Sequence, residues 1–146
     1  MKTVAELLRN KNNAYIHSVA ADASVLEAVK QLAEKRVGAL VVMAGGRMVG
    51  IVSERDYVRK LAEMESAAFD AKVSDIMTSE VITVGPRDSV QHCLQLMTDR
   101  RLRHLPVMAE GELIGLLSIG DLVKQTIDDQ ASLIQQLEQY IRGEVG

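Results

Sequence analysis

Shifted by 65 positions, the chain matches itself. Residues 19–58 align without a gap on residues 84–123, and thirteen of the 40 pairs are identical. Roughly two or three identities would arise by chance, so the chain writes one supersecondary unit twice in tandem. Many of the remaining pairs exchange one apolar residue for another. Within the match, GIVSERD (50–56) and GLLSIGD (115–121) retain Gly50/Gly115, Ser53/Ser118 and Asp56/Asp121, while the two residues between Ser and Asp differ.

Each copy has the same periodicity. A short β-rich segment, YIHSV (15–19) or VITV (81–84), is followed by a turn and then a helical pattern. In the helices, Val25, Ala28, Val29 and Leu32 fall on one face, as do Val90, Cys93, Leu94 and Met97. Ser24 and Ser89 stand where N-caps belong, and basic residues collect in each last turn. ALVVM (39–43) and HLPVM (104–108) then pair through Gly-containing turns with MVGIV (48–52) and LIGLL (113–117) as hairpins. Second helices begin near Glu54 and Ile119. The order is β-α-β-β-α per copy, and neither copy, at roughly 60 residues, buries enough core alone. The expectation is an α/β (α+β) fold in which the two repeats pack face to face.

Two segments lie outside the repeat. VAELLRNK (4–11) suits a short amphipathic helix. ASLIQQLEQYIRG (131–143) places Leu133, Ile134, Leu137, Tyr140 and Ile141 on one face, a stripe that needs cover from its own domain or from a second subunit. The expected division is 1–66 for the N-terminal segment and first repeat, 67–125 for the second repeat, and 126–146 for a C-terminal amphipathic helix.

Composition narrows the function. The net charge of −3 gives no global field for nucleic acid or an anionic membrane, and aromatic residues at 3% leave little for base stacking. The single Cys93 cannot form an internal disulfide, and on the apolar helix face it reads as core. MKTVAELLRNKNN lacks the apolar run of a signal peptide, and no stretch approaches the ~18 apolar residues of a membrane span, so a cytoplasmic location is expected. His17, His92 and His104 lack metal spacing, and there is no P-loop or GxGxxG. No catalytic or metal site is expected.

Ser53-x-x-Asp56 and its counterpart Ser118-x-x-Asp121 admit two readings. Serine followed three residues later by an acid is close to a capping box, although Glu or Gln reaches back better than Asp. The same geometry also places a carboxylate at a helix start, where free amides and the dipole favour phosphate. There a carboxylate can accept both hydroxyls of a ribose. Arg100, Arg101, Arg103 and His104 cluster before the second hairpin, and Arg55, Arg59 and Lys60 lie at or after the first Ser-x-x-Asp. Arg100 reads as a solvated helix end. Arg103 and His104, which stand where the first copy has Gly38 and Ala39, suit phosphate oxygens; His104 equally suits a structural role.

The arrangement RHLPVM…GLLSIGDLV, with GIVSERD upstream, resembles a pair of CBS domains (the cystathionine-β-synthase type), together called a Bateman module. The likeness spans about residues 10 to 125 and is nearest to small bacterial stand-alone two-CBS signal-transduction proteins. It implies pseudo-twofold packing with two clefts, each built from both copies. It implies that Asp56 and Asp121 bind ribose hydroxyls of an adenosyl ligand, with Ser53 and Ser118 beside the ribose and α-phosphate. Ile16, His17, Val81 and Ile82, with Val37, Gly38 and Leu102, resemble the family's adenine slots, and Arg103, His104 and Arg55 its phosphate contacts. Asp121, Arg103 and His104 are expected to share the cleft better suited to phosphorylated ligands.

The implied function is a non-catalytic sensor of AMP, ADP, ATP, NAD(H) or S-adenosylmethionine, expected as a homodimer acting on an unknown regulated protein. Alternatives are an interaction module with vestigial clefts and, more weakly, a nucleic-acid binder using residues 100–104.

Overall fold

The computed structural model describes residues 2–11, 15–65 and 69–143. The repeat is visible first in the helix ends. In α2 (Val25–Lys35) and α5 (Val90–Arg100) the Ser24 and Ser89 hydroxyls accept the Glu27 and His92 amides at 3.1 and 3.0 Å. Both helices stop at an arginine in the left-handed region, Arg36 and Arg101, each with φ 55°. Their buried faces are Val25, Ala28 and Leu32 in one, and Val90, Cys93 and Met97 in the other. Helical spacing and caps therefore act as the sequence requires.

Each helix leads into an antiparallel hairpin. β2 (Ala39–Ala44) pairs with β3 (Arg47–Ser53), and β4 (His104–Ala109) with β5 (Glu112–Ser118). Both hairpins shift register at the matching step, between Val42 and Met43 and between Val107 and Met108. Positive φ angles at Gly45 and Gly46, and at Glu110 and Gly111, close the tight turns.

The copies differ at their first strand. β1 (Ser18–Ala20) runs parallel to β2, where the Val41 amide donates to the His17 carbonyl at 3.2 Å. In the second copy the expected 81–84 strand shrinks to one parallel bridge, Val84 with Val107. The residue matching Val41 is Pro106, which has no N–H to donate, so the ladder stops one bond short.

The two lead-in helices are exchanged between the copies. α1 (Val4–Asn10) places Val4 and Leu7 in a core with Val90, Cys93, Leu105 and Leu117, all from the second copy. α4 (Val73–Ile76) places Val73 in the first-copy core with Leu32, Leu40 and Val52. Reciprocal backbone bonds seal both: the Val4 amide donates to the Asp88 carbonyl and the Val73 amide to the Ala23 carbonyl, each at 2.8 Å. This reciprocity is the pseudo-twofold of the fold.

The exchange also explains a glycine in each copy. A Cβ on Gly115 would stand 2.7 Å from Leu8 Cδ2, and one on Gly50 would stand 2.6 Å from Met77 Sδ. The exchanged segments lie directly on the hairpins: a Cβ at Gly50 would also stand 2.8 Å from the Thr78 carbonyl, and one at Gly115 would force Leu8 to move.

α3 (Glu54–Met64) closes the first copy. Its counterpart does not stop where the repeat ends: α6 runs unbroken from Ile119 to Ile141 over 23 residues, joining the second-copy helix and the C-terminal amphipathic segment in one rod. Leu122 is fully buried near its start, whereas Ile134 is 56% and Ile141 81% exposed. The apolar stripe does not fold back on its own chain.

Candidate functional site

The Ser-x-x-Asp segments sit where β3 and β5 hand over to helices. At both, the capping box is complete: Asp56 Oδ2 accepts the Ser53 amide at 2.8 Å while Ser53 Oγ accepts the Asp56 amide at 3.3 Å. The corresponding distances at Ser118 and Asp121 are 2.8 and 3.1 Å. Aspartate reaches back as well as the longer acids here. Capping and ligand binding need not compete, because these bonds fall on Oδ2. Oδ1 of either carboxylate accepts no hydrogen bond from the described residues.

The helix-start amides are less available than the sequence suggests. Glu54 N–H donates to the Gly38 carbonyl at 3.1 Å and Ile119 N–H to the Arg103 carbonyl at 2.8 Å. With the Asp56 and Asp121 amides on serine hydroxyls, fewer first-turn amides are left for a phosphate.

Two clefts hold the motifs, and each draws on both copies. The larger encloses about 410 Å³, within the roughly 300–1,000 Å³ of small-molecule sites. Ser53, Arg55 and Asp56 enter it from the first copy, and Val81, Ile82, Leu102 and Arg103 from the second. The smaller, about 280 Å³, gathers Ser118 and Asp121 with His17, Val37 and Gly38. Ile16 lines neither cleft.

Arg103 therefore lies with Asp56, and its expected grouping with Asp121 is corrected. Pseudo-twofold packing sets the carboxylate of one copy against the hairpin entrance of the other, so Arg103, at the hairpin entrance of the copy that carries Asp121, faces the opposite cleft. His104 lines both, between them, with its Cε1 3.3 Å from where a Cβ on Gly38 would stand. Gly38 leaves the space this imidazole occupies.

The charge follows the same division. Arg55, Arg59, Arg100, Arg101 and Arg103 line the Asp56 cleft, against the carboxylates of Glu54, Asp56 and Glu80. Arg100, expected as a solvated helix end, is one of them; Arg101 turns in at the left-handed C-cap of α5. The Asp121 cleft holds Lys11 and Arg36 instead. Lys11 Nζ donates to Asp121 Oδ2 and to the Leu116 carbonyl, both at 2.9 Å. Nothing local in the sequence points to Lys11, since its partner lies 110 residues away.

Two titrating groups of the clefts are perturbed. Burial pushes the Asp121 carboxyl up, but the Ser118 amide and the Lys11 ammonium outweigh it and hold its pKa below the ordinary value. Burial also lowers the pKa of His104, opposed by the charge of Asp121 and assisted by Lys11 and Arg103. In the same cleft, His17 Nδ1 is buried without a hydrogen-bond partner among the described residues. Among the described residues no group of side chains could hold a metal ion, and no helix is long and apolar enough to cross a membrane.

The family model for the CBS domain matches residues 4–63 and again 73–128. A mitochondrial CBS domain-containing protein of Arabidopsis thaliana, CBSX3, is 38% identical over 97% of this chain and 72% of its own length. A protein with CBS domains from Burkholderia ambifaria superposes with a TM-score of 0.84 at 46% identity, over 88% of this chain and 96% of that one. A CBS domain protein of Pyrobaculum aerophilum, solved in complex with AMP, gives 0.72 at 33% identity over 82% and 89%.

Proposed function

The chain belongs to the CBS-domain family, as a tandem pair, and from that premise we propose that it is a non-catalytic sensor of adenosyl nucleotides whose principal site is the Asp56 cleft. One observation carries this reading: a carboxylate fixed by its capping box opens on a cleft of about 410 Å³ with five arginines on its walls. Asp56 takes the ribose diol, Val81, Ile82 and Leu102 flank the base, and Arg55 and Arg103 meet the phosphates bidentately. AMP bound to the Pyrobaculum protein supports the ligand class. ADP, ATP, NAD(H) and S-adenosylmethionine share the same adenosine, and the arginines favour the anionic members.

Occupancy acts on a regulated partner by changing the angle between the copies or the contact within a homodimer. A ligand shifts such an equilibrium only by its differential affinity for the two states. The chemistry of the cleft is recognition and calls for no enzymatic step.

Calorimetric titration of the folded, nucleotide-free protein with AMP, ATP, NADH and S-adenosylmethionine tests the reading. Saturable binding whose tighter site is lost in Asp56→Asn sustains it. Silence from all four favours the second reading, an interaction module that docks through the exposed Leu133–Ile141 stripe of α6; that stripe is the observation in its favour.

A further inference from the structure

The two clefts are not equivalent, and at their carboxylates the difference is one side chain. Among the described residues Asp56 has no cation within ion-pair distance, whereas Asp121 holds Lys11 at 2.9 Å. The bond falls on Oδ2, the oxygen that also accepts the Ser118 amide. A vicinal diol engages both oxygens of a carboxylate. Oδ2 holds two donors in both clefts, but at Asp56 the second is the Ser53 hydroxyl at 3.0 Å, which can turn away, whereas at Asp121 it is a lysine ammonium that neutralises the carboxylate and stands where the diol would come.

Lys11 is not at the end of a loose segment. It follows α1 directly, and its amide donates to the Leu8 carbonyl at 3.4 Å. Val4 and Leu7 anchor α1 in the second core, and Leu8 rests over Gly115. The Leu116 carbonyl gives the ammonium a second fixed acceptor. The cleft also holds His17, whose Nδ1 is buried and unpartnered among the described residues and whose ring packs on Tyr15 at 4.9 Å.

We propose that Lys11 is a built-in occupant of the Asp121 cleft, so that each chain fills its two adenosyl sites in sequence, the Asp56 cleft first and the Asp121 cleft only as Lys11 is displaced. The inference rests on the nucleotide-binding function proposed above and adds its order of filling. Displacing a partly exposed charge-assisted bond lowers affinity by about tenfold. It also releases the residue that ends α1, so filling of the second site is felt by the N-terminal segment while filling of the first is not.

The test is calorimetry of the full chain with AMP, repeated with ATP, on the native protein and on Lys11→Met, Lys11→Arg and Asp56→Asn, each shown folded by circular dichroism. The expected result is one site removed by Asp56→Asn and a second about tenfold weaker. Lys11→Met tightens the second site about tenfold and leaves the first unchanged, while Lys11→Arg behaves as the native chain. Native binding at the Asp56 cleft with a second site that Lys11→Met leaves unchanged or weakens overturns the Lys11 proposal alone. Absence of binding in both the native chain and Lys11→Met overturns it together with the nucleotide-binding reading.

Discussion

Lys11 Nζ and Asp121 Oδ2 meet at 2.9 Å, one residue from the end of the first helix and the other from the start of the last. The pair ties the N-terminal segment to the second copy at the cleft, as Val4 and Leu7 tie it in the core. Its first-copy counterpart is absent among the described residues, and this breaks the pseudosymmetry where a ligand would register it.

Asp56→Asn should weaken binding of AMP and ATP by at least tenfold in calorimetry, since it removes the charge that the ribose hydroxyls bond. Its cost to stability should stay near 1 kcal/mol, the scale of a weakened cap. A variant that binds as tightly as the native chain would reduce the motif to capping alone.

Gly115→Ala should destabilise by about 1–3 kcal/mol, because the new Cβ overlaps Leu8. Combining it with Leu8→Ala should restore part of that loss, and a double-mutant cycle by urea denaturation reads the coupling. Strict additivity of the two changes would mean that α1 does not lie on the hairpin as described.

Acidification should destabilise the fold in two stages. His104 has a folded pKa below its ordinary 6.5, so the unfolded chain takes up the proton first and stability falls as pH drops below about 6.5. Asp121, also lowered from its ordinary 3.8, adds a further loss as pH falls through its folded value. His104→Asn should flatten the upper stage in denaturation midpoints measured from pH 7.5 to 5; an unchanged slope would remove His104 as its source.

Cys93 should resist thiol reagents in the folded protein. It is fully buried, and burial, aided by the nearby Asp88 charge, pushes its pKa to about 11. A disulfide reagent at pH 8 should react only at the rate of unfolding, with full reactivity in denaturant. Rapid native-state labelling would contradict the packing of α5.

Much of this was legible in the sequence, and what escaped has a common cause. The caps at Ser24 and Ser89, the paired hairpins and the apolar helix faces are local patterns, and each folds as its spacing dictates. Contacts created by the pseudo-twofold are not local. The docking of α1 on the second copy, the placement of Arg103 with Asp56, and the pairing of Lys11 with Asp121 all join segments with no periodicity in common. Pro106 lies between these cases: its missing donor is visible in the sequence, but which carbonyl it would have served is known only once β1 is paired.

The continuity of α6 has a mechanical consequence. Asp121 stands in its first turn, and the bare apolar tip at Ile141 stands at its far end. At 1.5 Å per residue the rod is about 35 Å long, so a tilt of ~10° at its base sweeps the tip through about 6 Å. Any tilt at the Asp121 end of α6 is thus carried, without an intervening hinge, to its exposed apolar tip.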